Sequence, residues 1–186
     1  MQLVFVCSGN TCRSPLALAA WHLAAREIEA RNIEAHEMVT RIQATSAGLC
    51  ATAGAPAARY SQVVAREWGV DLSQHRAGLF MPQHAKADLI ITMTEDQAAV
   101  VRSHFNISEE QVRLLGSYAP RRQRVAEAAK FAPLWGSELV DGVSPLGEQI
   151  DILDPYGGSL EAYQACAAQI RRCTFELARV LAGKLC

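Results

Sequence analysis

The chain has 186 residues, 50% hydrophobic and 20% charged, with a formal net charge of -1. That length suits one domain with a sizeable buried core, and the charge balance excludes both a basic nucleic-acid surface and an acidic disordered tail. No apolar run approaches the roughly 20 residues that a membrane helix needs. "LVFV" at the N-terminus runs into polar residues with no basic leader, which argues against a signal peptide. The expectation is a cytoplasmic protein with neither nucleic acid nor membrane as partner.

Strands and helices alternate along the chain. "QLVFV" reads as a short buried strand, and Ser14-Pro15 as an N-cap followed by proline at the first helical position. The helix is predicted from about Pro15 to about Met38, with Ala17, Trp21, Ala24 and Ile28 on one side. "RIQATSAG" reads as a second strand and "APAARYSQVVAREWG" as a helix stopping at Gly69. "ADLIITM" is a continuous apolar run of the kind found in central parallel strands, and Thr94 caps the helix "EDQAAVVRSHF". "QVRLLGSY" reads as a fourth strand, and a last helix runs from near Ser159 to about Lys184. The alternation predicts an α/β layer fold with a parallel sheet and right-handed crossovers.

Residues 119–150 interrupt this pattern. The stretch holds three prolines, and four basic residues balance four acidic ones. It reads either as a surface excursion with a helix near 121–131, inserted into a single domain spanning 1–186, or as a lid or partner-binding element.

The six cysteines do not make a disulfide framework. With no C-x-x-C pair and no histidine at ligand spacing, no metal site and no cofactor are expected.

The chemistry concentrates at the first turn, "CSGNTCRSP". Cys7 ends a strand, Arg13 follows in a C-x5-R spacing, and a helix begins at once. A strand, a glycine-bearing turn and a helix start form a cradle of backbone N–H groups, which the helix dipole makes attractive to anions. Arg13 offers a planar fork for two oxygens of a phosphate-sized anion. A thiol in the same cradle is a nucleophile aimed at phosphorus, with Ser14 donating a hydrogen bond to it. A nucleotide P-loop is excluded because no lysine follows Gly9 in the required register.

Attack at phosphorus also needs a proton donor for the leaving group. Asp154, in "DILDPYGGS" before the last helix, is the candidate, with Asp151 as runner-up. Pro155 fixes the backbone, Gly157-Gly158 permit a sharp loop, and Tyr156 offers an apolar wall for a substrate side chain.

"VCSGNTCRSP", "SAG" and "DPYGG" together resemble the low-molecular-weight protein-tyrosine-phosphatase family over most of the chain outside 119–150. The resemblance implies a doubly wound four-stranded parallel sheet flanked by helices. It also implies metal-free, two-step hydrolysis of a phosphorylated protein. Cys7 becomes phosphocysteine while Asp154 protonates the leaving group, and Asp154 then activates water. Arg13 binds the equatorial oxygens, and the backbone of residues 8–13 holds the rest, Ser8 and Gly9 serving chiefly through their N–H groups. Asn10 would hold a strained loop conformation through a network with Ser46 and His75, for which a half-buried loop histidine is the alternative. The family also pairs its two loop cysteines reversibly, which implies a protective disulfide between Cys12 and Cys7, against a simply packed thiol.

The chain departs from the common pattern at Leu18, where a glutamate is usual, and at Thr11, where tyrosine-directed members carry an aliphatic residue. The related protein arginine phosphatases carry threonine there, with an Asp-Pro-aromatic-Gly-Gly loop like this one. A rim hydroxyl can bond a guanidinium, whereas an aliphatic side chain packs on an aromatic ring. The resemblance therefore favours phosphoarginine as substrate, with phosphotyrosine as the alternative.

Two further readings stay open. An arsenate reductase shares the Cys-Arg loop and relays a disulfide through extra cysteines. Cys166 and Cys173, however, lie seven helical positions apart, about 10 Å along the axis, and a disulfide needs Cα atoms within about 7 Å. A silent phosphoprotein-binding module is disfavoured by the intact nucleophile and acid. The sequence leaves the oligomeric state open.

Overall fold

The structure is a computed structural model that describes residues 1–31, 41–119 and 151–184. Four parallel strands form one sheet in the order β2-β1-β3-β4, with β1 at Gln2–Cys7, β2 at Gln43–Gly48, β3 at Leu89–Thr92 and β4 at Val112–Leu114. The helices are α1 (Arg13–Arg31), α2 (Arg59–Glu67), α3 (Glu95–Phe105) and α4 (Leu160–Lys184).

Alternation along β1 builds two cores. Leu3, Phe5 and Cys7 face a cluster with Leu16, Trp21, Ile170 and Leu177 from α1 and α4. Val4 and Val6 face the other way, onto Phe80, Ala98 and Val101 beside α3. Phe5 and Trp21, both almost wholly buried, stack tilted with ring centroids 6.4 Å apart. Each such side chain contributes about 2–3 kcal/mol by leaving water. The sheet is therefore doubly wound, and the order reverses direction between β1 and β3. A crevice at that switch point, at the carboxyl ends of the strands, is where such sheets take ligands.

The expected elements are present with instructive differences. The first helix begins at Arg13 rather than Pro15, so Pro15 sits inside the first turn, where backbone N–H groups have no intrahelical acceptor to lose. Its expected continuation from 32 to Met38 lies outside the described residues. Residues 55–58 are not helical. Their backbone is committed elsewhere: Ala58 N–H donates to the Thr11 carbonyl at 2.9 Å and Ala55 N–H to that of Thr52 at 3.1 Å. The helix then ends before Gly69, whose φ of 75° supplies the left-handed turn. Thr94 caps α3 as expected, its hydroxyl accepting from Gln97 N–H at 3.3 Å. The fourth strand is shorter than expected, because Leu115–Tyr118 coil into a 3-10 turn that Ser117 supports through the Leu114 carbonyl at 2.7 Å. Except for Ala119, the stretch 119–150 and the helix expected near 121–131 lie outside the described residues.

Candidate active site

Residues 8–12 join β1 to α1 at the carboxyl edge of the sheet, and Cys7 closes β1 at only 2% exposure. Its Sγ receives the backbone N–H of Asn10 at 3.2 Å and lies 3.0 Å from Ser14 Oγ. Ser14 Oγ itself accepts from Asn10 Nδ2 at 2.9 Å, so its one hydrogen is shared between Cys7 Sγ and the Ala47 carbonyl at 3.3 Å.

Asn10 is left-handed, with φ of 53°, a conformation that costs an ordinary L-residue roughly 1–2 kcal/mol. A network holds it there. Its Oδ1 accepts from Gly78 N–H at 2.8 Å, and its Nδ2 donates to Ser14 and also to Ser46 Oγ at 3.0 Å. Its carbonyl accepts from His75 Nε2 at 2.7 Å, which fixes the hydrogen of that ring on Nε2. The loop also rests directly on β2. A Cβ on Gly48 would stand 2.7 Å from Asn10 N and from Ser8 O, so only glycine fits beneath it.

Arg13 is 3% exposed. Its Nη1 donates to the Ile152 carbonyl at 3.0 Å, and its Nη2 donates to Ser8 Oγ at 3.3 Å and pairs with Asp154 Oδ2. Among the described residues, its buried Nε–H has no hydrogen-bond partner. The Asp154 loop is tied to β3 by Ile152 N–H, which donates to the Met93 carbonyl at 2.8 Å. Asp154 Oδ1 accepts from Tyr156 N–H at 3.2 Å, which leaves the carboxylate partly open to solvent.

A cavity of about 400 Å³ opens above these groups. Cys7, Ser8, Gly9, Thr11, Cys12, Asp154 and Tyr156 line it, with Cys50, Thr52 and Ala55 completing the rim. Asn10, Arg13, Ser14, Ser46 and His75 stand behind that wall and shape it. Tyr156 is 77% exposed, so a substrate side chain can reach it. Thr11 Oγ1 lies 3.6 Å from Cys12 Sγ, and Tyr163 OH lies 3.3 Å from the same sulfur. Burial pushes the Cys12 thiol up, against the opposing effect of those two hydroxyls. Asp151 has a different post. Its Oδ1 accepts from Glu95 N–H at 3.0 Å at the start of α3, outside the cavity lining, and burial raises its carboxyl above the usual range.

The arrangement can seat a tetrahedral anion against a guanidinium with a thiol below it and a carboxyl group at its side. The family model for low molecular weight phosphotyrosine protein phosphatases matches residues 2–130. The chain belongs to this family. Among its relatives, the protein-arginine-phosphatase of Bacillus subtilis (strain 168) is 26% identical over 182 residues, 97% of each chain. The low molecular weight protein-tyrosine-phosphatase PtpB of Staphylococcus haemolyticus (strain JCSC1435) is 28% identical, across 100% of this chain and 97% of its own. A solution structure of a family member from Bacillus subtilis superposes with a TM-score of 0.71 at 25% identity, covering all of both chains.

Several contributors to the phosphatase loop carry no signal in the sequence. Gln97, Gly78, Cys50 and Tyr163 reach it only through the fold. Gly48 was visible as the end of "SAG", but the reason for it was not.

Proposed function

We propose that this chain hydrolyses phosphorylated protein side chains through a phosphocysteine on Cys7, with phosphoarginine preferred over phosphotyrosine. The observation that carries the reading is the buried, unpartnered Nε–H of Arg13 behind a cavity that brings Cys7 and Asp154 together. A buried donor without an acceptor is costly, and a phosphoryl oxygen relieves that cost. In the first step the Cys7 thiolate attacks phosphorus. The P–N or P–O bond breaks, its electron pair goes to the departing atom, and Asp154 delivers a proton there. Arg13 and the loop amides hold the charge that accumulates on the equatorial oxygens. In the second step Asp154 takes a proton from water as the water attacks the phosphocysteine; the S–P bond breaks, and thiolate and inorganic phosphate separate. The reaction as written calls on no metal or cofactor.

The preference for phosphoarginine rests on Thr11 at the cavity wall and on the relatives named protein-arginine-phosphatase. The phosphotyrosine reading is favoured by the exposed ring of Tyr156 and by the relatives named PtpB. The proposal describes a cytoplasmic, single-domain enzyme. Among the described residues no helix is long and apolar enough to cross a membrane.

The test is hydrolysis of matched phosphoarginine and phosphotyrosine peptides by the parent and by Thr11→Ile. Phosphoarginine should turn over faster in the parent, and the ratio should move toward phosphotyrosine in the variant by about tenfold, the worth of one polar contact. A parent that prefers phosphotyrosine overturns the assignment.

A further inference from the structure

Ser8 enters the mechanism above only through its backbone, yet its hydroxyl stands where three parts of the molecule meet. Its Oγ is 3.1 Å from Gln97 Nε2 and 3.3 Å from Arg13 Nη2. A guanidinium can only donate. The amide of Gln97 is equally committed, because its Oε1 accepts Met93 N–H at 3.0 Å, and flipping it would set an NH2 against that N–H. Gln97 is 6% exposed and sits in the first turn of α3, so it has no solvent alternative. Both neighbours therefore donate into the two lone pairs of Ser8 Oγ. The hydroxyl hydrogen has to take the remaining tetrahedral direction, and Ser8 lines the cavity beside Cys7 and Asp154.

We propose that the Ser8 hydroxyl is a catalytic hydrogen-bond donor to a non-bridging oxygen of the bound phosphoryl group, and that Gln97 is the positioning residue that keeps its hydrogen turned toward substrate. This rests on the phosphatase reading. A serine left to itself would rotate its hydrogen toward any nearby acceptor, the Asp154 carboxylate included. Filling both lone pairs from behind removes that freedom before substrate arrives, which is the preorganisation that makes a donor effective in a transition state. The contact also crosses the switch point of the sheet, from the β1–α1 loop to the first turn of α3, so two crossover units cooperate on one hydroxyl.

The test uses p-nitrophenyl phosphate turnover and competitive inhibition by inorganic phosphate. Ser8→Ala should lower kcat/KM and weaken phosphate inhibition, each by about tenfold, as expected for one hydrogen bond to a charged group. Ser8→Thr, which keeps the hydroxyl, should recover most of what Ser8→Ala loses. Gln97→Glu is the second arm: one oxygen of the new carboxylate still accepts Met93 N–H, but the other accepts from Ser8 and turns its hydrogen inward. It should lose as much as Ser8→Ala, and the double variant should lose no more than the worse single one. Unchanged phosphate inhibition in Ser8→Ala, or losses that multiply in the double variant, would overturn the proposal. The phosphatase reading fails separately, if Cys7→Ser retains turnover. Thermal unfolding of each variant separates loss of fold from loss of contact, and Ser8→Thr with Gln97→Glu keeps the question decidable if Ser8→Ala does not fold.

Discussion

Cys7 and Cys166 are both buried thiols on the same side of the sheet, at 2% and 4% exposure, but they are surrounded in opposite ways. Cys7 receives a backbone N–H and stands beside a hydroxyl that has a hydrogen to give. Cys166 gives its own hydrogen to the Leu153 carbonyl at 3.5 Å, and burial among apolar side chains pushes its thiol up. Cys173, two turns further along the same face of α4, is wholly buried in the same core. Cys166 is a donor into a carbonyl, whereas Cys7, the proposed nucleophile, has a backbone donor aimed at its sulfur. The two α4 cysteines are packing residues, and the disulfide relay they suggested has no place on a continuous helix.

That contrast can be broken in three experiments. The largest effect belongs to the proposed nucleophile: Cys7→Ser should remove at least about a thousandfold in kcat. Cys166→Ala, by contrast, should leave kcat within about twofold and cost about 1 kcal/mol of stability, read from urea unfolding. A comparable loss of kcat in both would erase the distinction. The second experiment concerns Cys12, which shares the cavity with Cys7 and which we propose as its protective partner. Peroxide-inactivated parent should recover most of its activity with added thiol, while Cys12→Ser should recover little. Equal recovery would assign Cys12 to packing alone.

The smallest effect is a pH slope in stability. Burial raises Cys12, Cys166 and Tyr163, so at alkaline pH the folded chain holds more protons than the unfolded one. Stability supplied by these protonated groups is complete below the unfolded thiol value of about 8.5 and drains away as pH climbs above it. The unfolding midpoint should fall between pH 7 and pH 9.5, and less steeply in Cys166→Ala. A parent with a flat profile would show that these thiols ionise as easily folded as unfolded.

The chemical centre was legible because most of it is local. Cys7, Arg13 and Ser14 fall within eight positions of one strand-turn-helix, and Asp154 is marked by the proline and glycines that follow it. Ser46 and His75 came only through the family resemblance, and the fold sets both against Asn10. What stayed hidden depends on distant segments meeting. Gln97 lies in an ordinary helical turn whose pattern says nothing of Ser8, 89 positions earlier. The start of α2 was misplaced for the same reason, since residues 55–58 have helical composition but spend their backbone groups on neighbouring loops. Local patterns cannot show where a backbone group finds its partner.

Gly48 carries a consequence for anyone wishing to transplant this chemistry. The phosphate loop is moulded from below by a strand that contributes no reacting atom, and the mould works because that strand has a bare backbone there. Grafting "CSGNTCRSP" onto another strand-helix unit would move the nucleophile and the arginine but leave the template behind. A portable unit needs at least the neighbouring parallel strand ending in serine-alanine-glycine, the Gly78 and His75 segment that holds Asn10, and the Ile152–Asp154 segment that meets Arg13.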